Sequence, residues 1–277
     1  MPYQFTIKRM KKYLSSIITA AGSIALLPIS VLANTADFYF ERGDKRLANG
    51  DNIGAIADFS RVLESEPNND AAYHNRGIAK SNQREFESAI SDFTRAINID
   101  PEFAPSYQSR GEAKALLENC SSAISDFTTS MKLDPKNHHS YVWRAHCYNN
   151  MELYSNAYKD ALKSTSMPNV SGDNYVELAV AAANLNKHTE AISAYTKTIQ
   201  YGKDLAWAYK FRGVAYEEIN DMGNACRDWR TASKLGDEDA TLWTRAQCNS
   251  GTRQTTNNQP KPTLRGTLSD TPFQWKQ

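Results

Sequence analysis

Histidines and cysteines are the residues of this chain best suited to reactive or metal chemistry. His138, His139 and His146 share one short stretch. On a helix, residues seven apart return to the same face, so His139 and His146 could present two imidazoles together. A metal centre would also need a third ligand and groups that orient the rings. The adjoining sequence offers neither, so these read as ordinary exposed histidines. The sequence holds no Gly-x-Ser-x-Gly elbow, no phosphate-cradling glycine loop and no His-Glu-x-x-His pair. The expectation is a protein that is not an enzyme, with no catalytic residue, metal or cofactor.

Charge spacing is more orderly. Arg42, Arg76, Arg110, Arg144 and Arg212 are each followed sixteen residues later by an acid: Asp58, Asp92, Asp126, Asp160 and Asp228. One term of the series is missing, and there Leu178 and Ala194 replace both partners at once. Joint loss implies contact within one structural unit. The alternative is two unrelated surface charges.

The unit itself is written in aromatics. Tyr39, Tyr73, Tyr107, Tyr141, Tyr175, Tyr209 and Trp243 stand 34 residues apart. Small residues recur in the same phase at Gly43, Gly77, Gly111, Ala145, Ala179 and Gly213. So do Ala55, Ala89, Ala123, Ala157, Ala191 and Ala225, with aromatics four later at Phe59, Phe93, Phe127, Tyr195 and Trp229. Ala161 breaks that last series. Apolar residues such as Ala89, Ile90, Phe93, Ala96 and Ile97 follow helical spacing, and a polar break near residues 81–85 divides each unit into two helices. Small slots on facing helices allow close approach, and the aromatic wedges beside them. Pro67, Pro101 and Pro135 close the first three units. Units this short cannot bury an apolar face alone and must stack.

This pattern resembles the tetratricopeptide repeat family: aromatic, small residue four on, alanine twelve further, aromatic four after that, and a closing proline. Its first statement here is Tyr39, Gly43, Ala55, Phe59 and Pro67. The resemblance implies an all-α fold, a right-handed solenoid of six helix-turn-helix units over residues 36–69, 70–103, 104–137, 138–171, 172–205 and 206–239. A capping helix over 240–249 completes an array spanning 34–249. The fourth unit departs from the pattern with Ala161 and a displaced Pro168, and the fifth and sixth lack the closing proline.

Outside the array, residues 8–12 read KRMKK, and an apolar run follows to Val31-Leu32-Ala33. That arrangement reads as a secretory signal over 1–33. An uncleaved membrane anchor is the alternative, since the run approaches spanning length. Removing the leader leaves 28 basic against 31 acidic residues, which argues against a nucleic-acid binder. The expected location is an exported compartment, the periplasm first, with a membrane-anchored or secreted protein as alternatives. Residues 250–277 are rich in Thr, Asn, Gln and Pro without helical periodicity, and read as a disordered tail.

In the resembled family, the first helix of each unit lines a concave groove. The corresponding positions here include Asp37, Phe40 and Asp44, then His74 and Ile78, then Gln108 and Glu112. Later units contribute His139, Val142 and His146, then Val176 and Val180, then Trp207, Lys210 and Val214. Across all groove positions acids outnumber bases six to one, so a clamp for a peptide's terminal carboxylate is not implied. Phe40, Ile78, Val142, Val176, Val180, Trp207 and Val214 supply an apolar floor. The expected partner is another protein or peptide segment, apolar with basic flanks. The expected role is an interaction scaffold or assembly factor. The alternative is that the floor packs against the chain's own tail or a neighbouring unit.

The repeat phase also speaks for the cysteines. Cys226 takes the inward slot of Ile56, Ile90, Ile124 and Ile192. With a one-residue slip after Trp243, Cys248 falls where other units have Ala79, Ala113, Ala181 and Ala215. These slots should lie opposite one another in an antiparallel pair, so an exported chain could form a Cys226–Cys248 disulfide. Cys120 and Cys147 match less well and are expected as buried thiols. The alternative is that all four are small core hydrophobes.

Overall fold

The computed structural model describes residues 29–248. Residues 1–28 of the expected leader and the whole expected tail lie outside this range. Six helix pairs follow one another: α1 (Ile29–Ala48) with α2 (Asn52–Ser65), α3 (Asp70–Asn82) with α4 (Phe86–Ile99), and α5 (Ala104–Leu116) with α6 (Cys120–Leu133). Then come α7 (His138–Asn150) with α8 (Tyr154–Thr165), α9 (Gly172–Asn184) with α10 (His188–Gln200), and α11 (Leu205–Glu218) with α12 (Met222–Lys234). A short α13 (Glu238–Trp243) and a π-helical turn (Thr244–Cys248) end the described chain. The expected cleavage point after Ala33 falls inside α1. Each helix packs on its pair-mate and on the helix after it, giving an all-α, right-handed solenoid. Among the described residues no helix is long and apolar enough to cross a membrane.

The small-residue slots have a steric cause. A Cβ added to Gly77 would stand 2.6 Å from the Phe93 ring, and one added to Gly111 would stand 2.7 Å from Phe127. The fourth unit has Ala145 in that slot, and there the aromatic position is Ala161.

The arginine–aspartate pairs are formed in every unit that has both residues. Arg76 donates to both carboxylate oxygens of Asp92 at 2.8 and 2.7 Å, and Arg110 does the same to Asp126 at 2.9 and 2.7 Å. A second cation joins in the early units: Lys80 on Asp92 and Lys114 on Asp126, each at 2.7 Å. The arginines also reach backward. Arg76 donates to Ser60, Arg110 to Thr94, Arg144 to Thr128 and Arg212 to Thr196, each a hydroxyl of the preceding unit's second helix. Tyr73 and Tyr107 lie under the guanidinium groups of Arg76 and Arg110 at 5.5 and 5.6 Å, favourable for a cation over an aromatic face. One side chain thus ties its own two helices together and fastens them to the unit before. Where the series breaks, the loss is threefold, because Leu162 takes the hydroxyl slot while Leu178 and Ala194 replace the arginine and the aspartate.

Turn chemistry repeats as well. The turn inside each pair places one residue at positive φ: Gly50, Arg84, Glu118, Glu152, Asn186 and Asn220. Around Glu118, the amides of Glu118 and Asn119 return to the carbonyls of Ala115 and Lys114, so the turn closes the helix end that precedes it. The fifth and sixth units lack the proline but end their second helices through Gly202 (φ +68°) and Gly236 (φ +97°). At the far end Cys226 and Cys248 are bonded, with Cα atoms 5.6 Å apart, and join α12 to the π-helical turn. That turn departs from α-helical geometry over the same residues where the repeat phase slips.

Two outcomes follow. Asp126→Ala strands Arg110 and Lys114 in a half-buried site and should lower stability by about 3 kcal/mol, while the double change Arg110→Met, Asp126→Leu should cost less. Chemical denaturation of the two variants checks the order. Glu118→Gly removes the left-handed penalty of a side chain, partly offset by a freer unfolded chain, and should add about 0.5 kcal/mol. A melt that falls instead would show that the Glu118 side chain contributes contacts of its own.

Candidate functional site

Consecutive first helices touch directly, α1 with α3, α3 with α5, α5 with α7 and α7 with α9. The array therefore closes up on the first-helix side, and these helices form its inner face. The groove positions expected from sequence all lie on them.

Their availability is uneven. In the first three units the inner face is open. Asp37 is exposed, and Phe40 is half-buried with its edge against Phe59 at 5.6 Å. Asp44 accepts a 2.8 Å hydrogen bond from Asn75, and burial raises its carboxyl above the ordinary range against the pull of that bond. Ile78 is partly buried against the Ala89–Phe93–Ala113 cluster. Gln108 donates to Glu112 at 2.7 Å and accepts from Asn137. Burial pushes Glu112 up to about 7, Gln108 offsetting only part of it. His74 is an exception on this stretch. It is buried, bonds Ser106 at 3.0 Å and packs edge-on to Phe103, and burial lowers it to about 4, so it is neutral at ordinary pH.

In the last three units most of the expected floor is core, which corrects the sequence reading. Val142, Val176, Val180, Trp207 and Val214 are 0–6% exposed. Ala179, Ala182 and Ala183 on α9 are small enough to let the neighbouring helices close over Val176 and Val180. Trp207 packs edge-on to Tyr195 and tilted against Phe211, at 5.5 and 5.2 Å, within the same cluster. Their apolar surface is spent inside the array and cannot meet a partner. Lys210 is also engaged, holding Asp237 and Asp239 at 3.1 and 3.2 Å. His139 stays exposed, beside His138.

His146 does not stand with His139. Its Nδ1 meets Glu177 at 3.0 Å, and Asn149 donates to the other Glu177 oxygen at 2.7 Å. Burial would lower His146, but the Glu177 charge and hydrogen bond outweigh it and raise the imidazole. The fully buried Glu177 was missed in the sequence. Its signal was an acid in a slot that adjacent units fill with Trp143 and Phe211. Among the described residues no group of three or more His, Cys, Asp or Glu could hold a metal ion.

The family model described as Tetratricopeptide repeat matches residues 70–103, the α3–α4 unit whose geometry the other five repeat. The chain has the tetratricopeptide repeat fold, and residues 70–103 carry the repeat itself. No curated protein matches it. Several solved tetratricopeptide structures share its fold. PilF of Pseudomonas aeruginosa aligns over 78% of this chain and 99% of its own, at 16% identity and a TM-score of 0.67. YrrB, described as a tetratricopeptide repeat protein with an unusual peptide-binding site, aligns over 68% and 97% at 18% identity and 0.60. MamA aligns over 60% and 96% at 21% identity and 0.54. At these identities the likeness is one of fold, and this repeat protein's own residues must carry any argument about its partner.

Glu112 gives the inner face a pH dependence. Between about pH 4.5 and 7 the folded chain keeps a proton on Glu112 that the unfolded chain has released, so stability falls as pH rises through that window. Glu112→Gln should remove that component, and the variant should gain on the wild type by up to about 1.4 kcal/mol per pH unit there. Denaturation series at several pH values test this, and parallel curves for the two proteins would contradict it.

Proposed function

We propose that this protein is a non-catalytic interaction scaffold or assembly factor of an exported compartment. It grips an apolar segment with basic flanks on the inner face of its first three units. The observation that carries this reading is the pairing of acids with partly exposed apolar anchors there: Asp37 and Asp44 beside Phe40 and Ile78. Acids at the rim steer a basic segment and select its register, while desolvated apolar anchors hold it. The opposite half of the inner face, filled by Trp207 and Val176, serves as a stiff end to the array. YrrB, with the same fold, is described as having a peptide-binding site, which supports a peptide-binding use of such an array.

Export rests on the basic, then apolar, N-terminal sequence ending Val31-Leu32-Ala33. The second reading keeps the same interaction role but leaves that segment uncleaved as a membrane anchor. Intact mass of the protein from its native compartment separates the two, a start at Asn34 supporting cleavage.

The binding test is comparative capture from an envelope extract. Phe40→Ala with Ile78→Ala should weaken retention of the main partner about 30-fold, the value of roughly 2 kcal/mol of anchor contact. Glu87→Ala with Arg95→Ala, both exposed on the outer helix α4, should leave retention unchanged. Release by the outer pair and retention by the inner pair would overturn the assignment.

A further inference from the structure

Six residues at the junction of α6, α7 and α9 do more than fill space. Cys120 is the first residue of α6, where unpaired backbone amides and the helix dipole favour a thiolate. It lies with Cys147 in one core cluster. Asn150 donates to Cys120 Sγ at 3.8 Å and meets His146 Nε2 at 3.1 Å. With His146 Nδ1 directed at Glu177, Nε2 is the basic nitrogen, on the Asn150 side that Cys120 shares. Asn150 thus bridges the Cys120 thiol to an imidazole that Glu177 orients, the groups an activated thiol uses.

We propose that Cys120 and Cys147 form a dithiol redox site, with Cys120 the attacking thiol, Cys147 the resolving thiol, and His146, held by Glu177 and Asn149, the base. Its substrates are disulfides. The titratable groups facing Cys120 are Cys147 and His146 from α7 and Glu177 from α9. The hydrogen bond from Cys147 lowers Cys120 most, Asn150 and His146 add to it against burial, and Cys120 falls to about 7. The same pairing pushes the Cys147 thiol up.

The exchange balances without further reagents. Cys120 gives its proton to His146 and attacks an incoming disulfide, forming a mixed disulfide and expelling one thiolate, which takes that proton. Cys147 then loses its proton to His146, attacks Cys120 Sγ and expels the second thiolate, which is protonated in turn. Two protein thiols become one disulfide, and one disulfide becomes two thiols. Cys120 follows directly on the exposed turn residues Leu117–Asn119. The Cys226–Cys248 bond lies in a different cluster and takes no part.

The test uses the full chain, with oxidised glutathione and iodoacetamide as probes and peptide mass mapping as readout. In the wild type, glutathione disulfide should convert the pair into a Cys120–Cys147 disulfide. In Cys147→Ala the reaction should stop at a glutathione adduct on Cys120. Alkylation of Cys120 should outpace that of Cys147 and rise with a midpoint near pH 7. His146→Gln should shift that midpoint upward by about one unit, slowing alkylation at pH 7 roughly tenfold. The wild-type pH profile stands whether or not the variants fold. Equal alkylation of both thiols, at the rate of global unfolding, would overturn the proposal. So would a stable glutathione adduct in the wild type.

Discussion

The structure depends on an arginine that serves two units at once. Arg110 grips Asp126 with two donors and lends a third to Thr94 of the unit before, and Arg76, Arg144 and Arg212 do the same in their own places. A fork with fixed donors can satisfy a carboxylate bidentately and still reach a hydroxyl, which a lysine cannot do with one nitrogen. Removing the carboxylate would leave cations without a partner in a half-buried site, so the pair is strict where it occurs. Apolar burial supplies the bulk of the stability. The arginine ties four of the units to the one before.

Where that link is absent, the array changes character. Leu162, Leu178 and Ala194 vacate all three polar slots, and alanines on α9 together with Tyr195, Trp207 and Phe211 form one extensive apolar cluster. Closer packing consumes the surface that the open units leave on the inner face. The same rule therefore explains why the first three units leave Phe40 and Ile78 only partly buried while Val176 and Val180 are core. Partner binding and internal cohesion compete for the same apolar side chains, and the local composition of each unit decides which use prevails.

The repeat phase makes the helices, the pair boundaries and the arginine–aspartate contacts legible in the sequence. The interval of sixteen residues is fixed by the geometry of one unit, so a joint loss at Leu178 and Ala194 reports contact. Burial across units was not legible in that way. Val142 and Trp207 occupy groove positions, but whether such a position faces solvent depends on how far adjacent helices close, which is set by alanines elsewhere. Glu177 was hidden for the same reason, since its partners His146 and Asn149 lie in the preceding unit. The ends of the fifth and sixth units were written in Gly202 and Gly236, a turn signal of another kind from the proline that closes the first three.

Arg76, Arg110, Arg144 and Arg212 each couple two units. Native-state hydrogen exchange along the array tests this directly in Arg110→Ala. The coupling predicts lost protection in α4, through Thr94, as well as in α5 and α6, through Asp126. Lost protection confined to α5 and α6, with α4 unchanged, would contradict it.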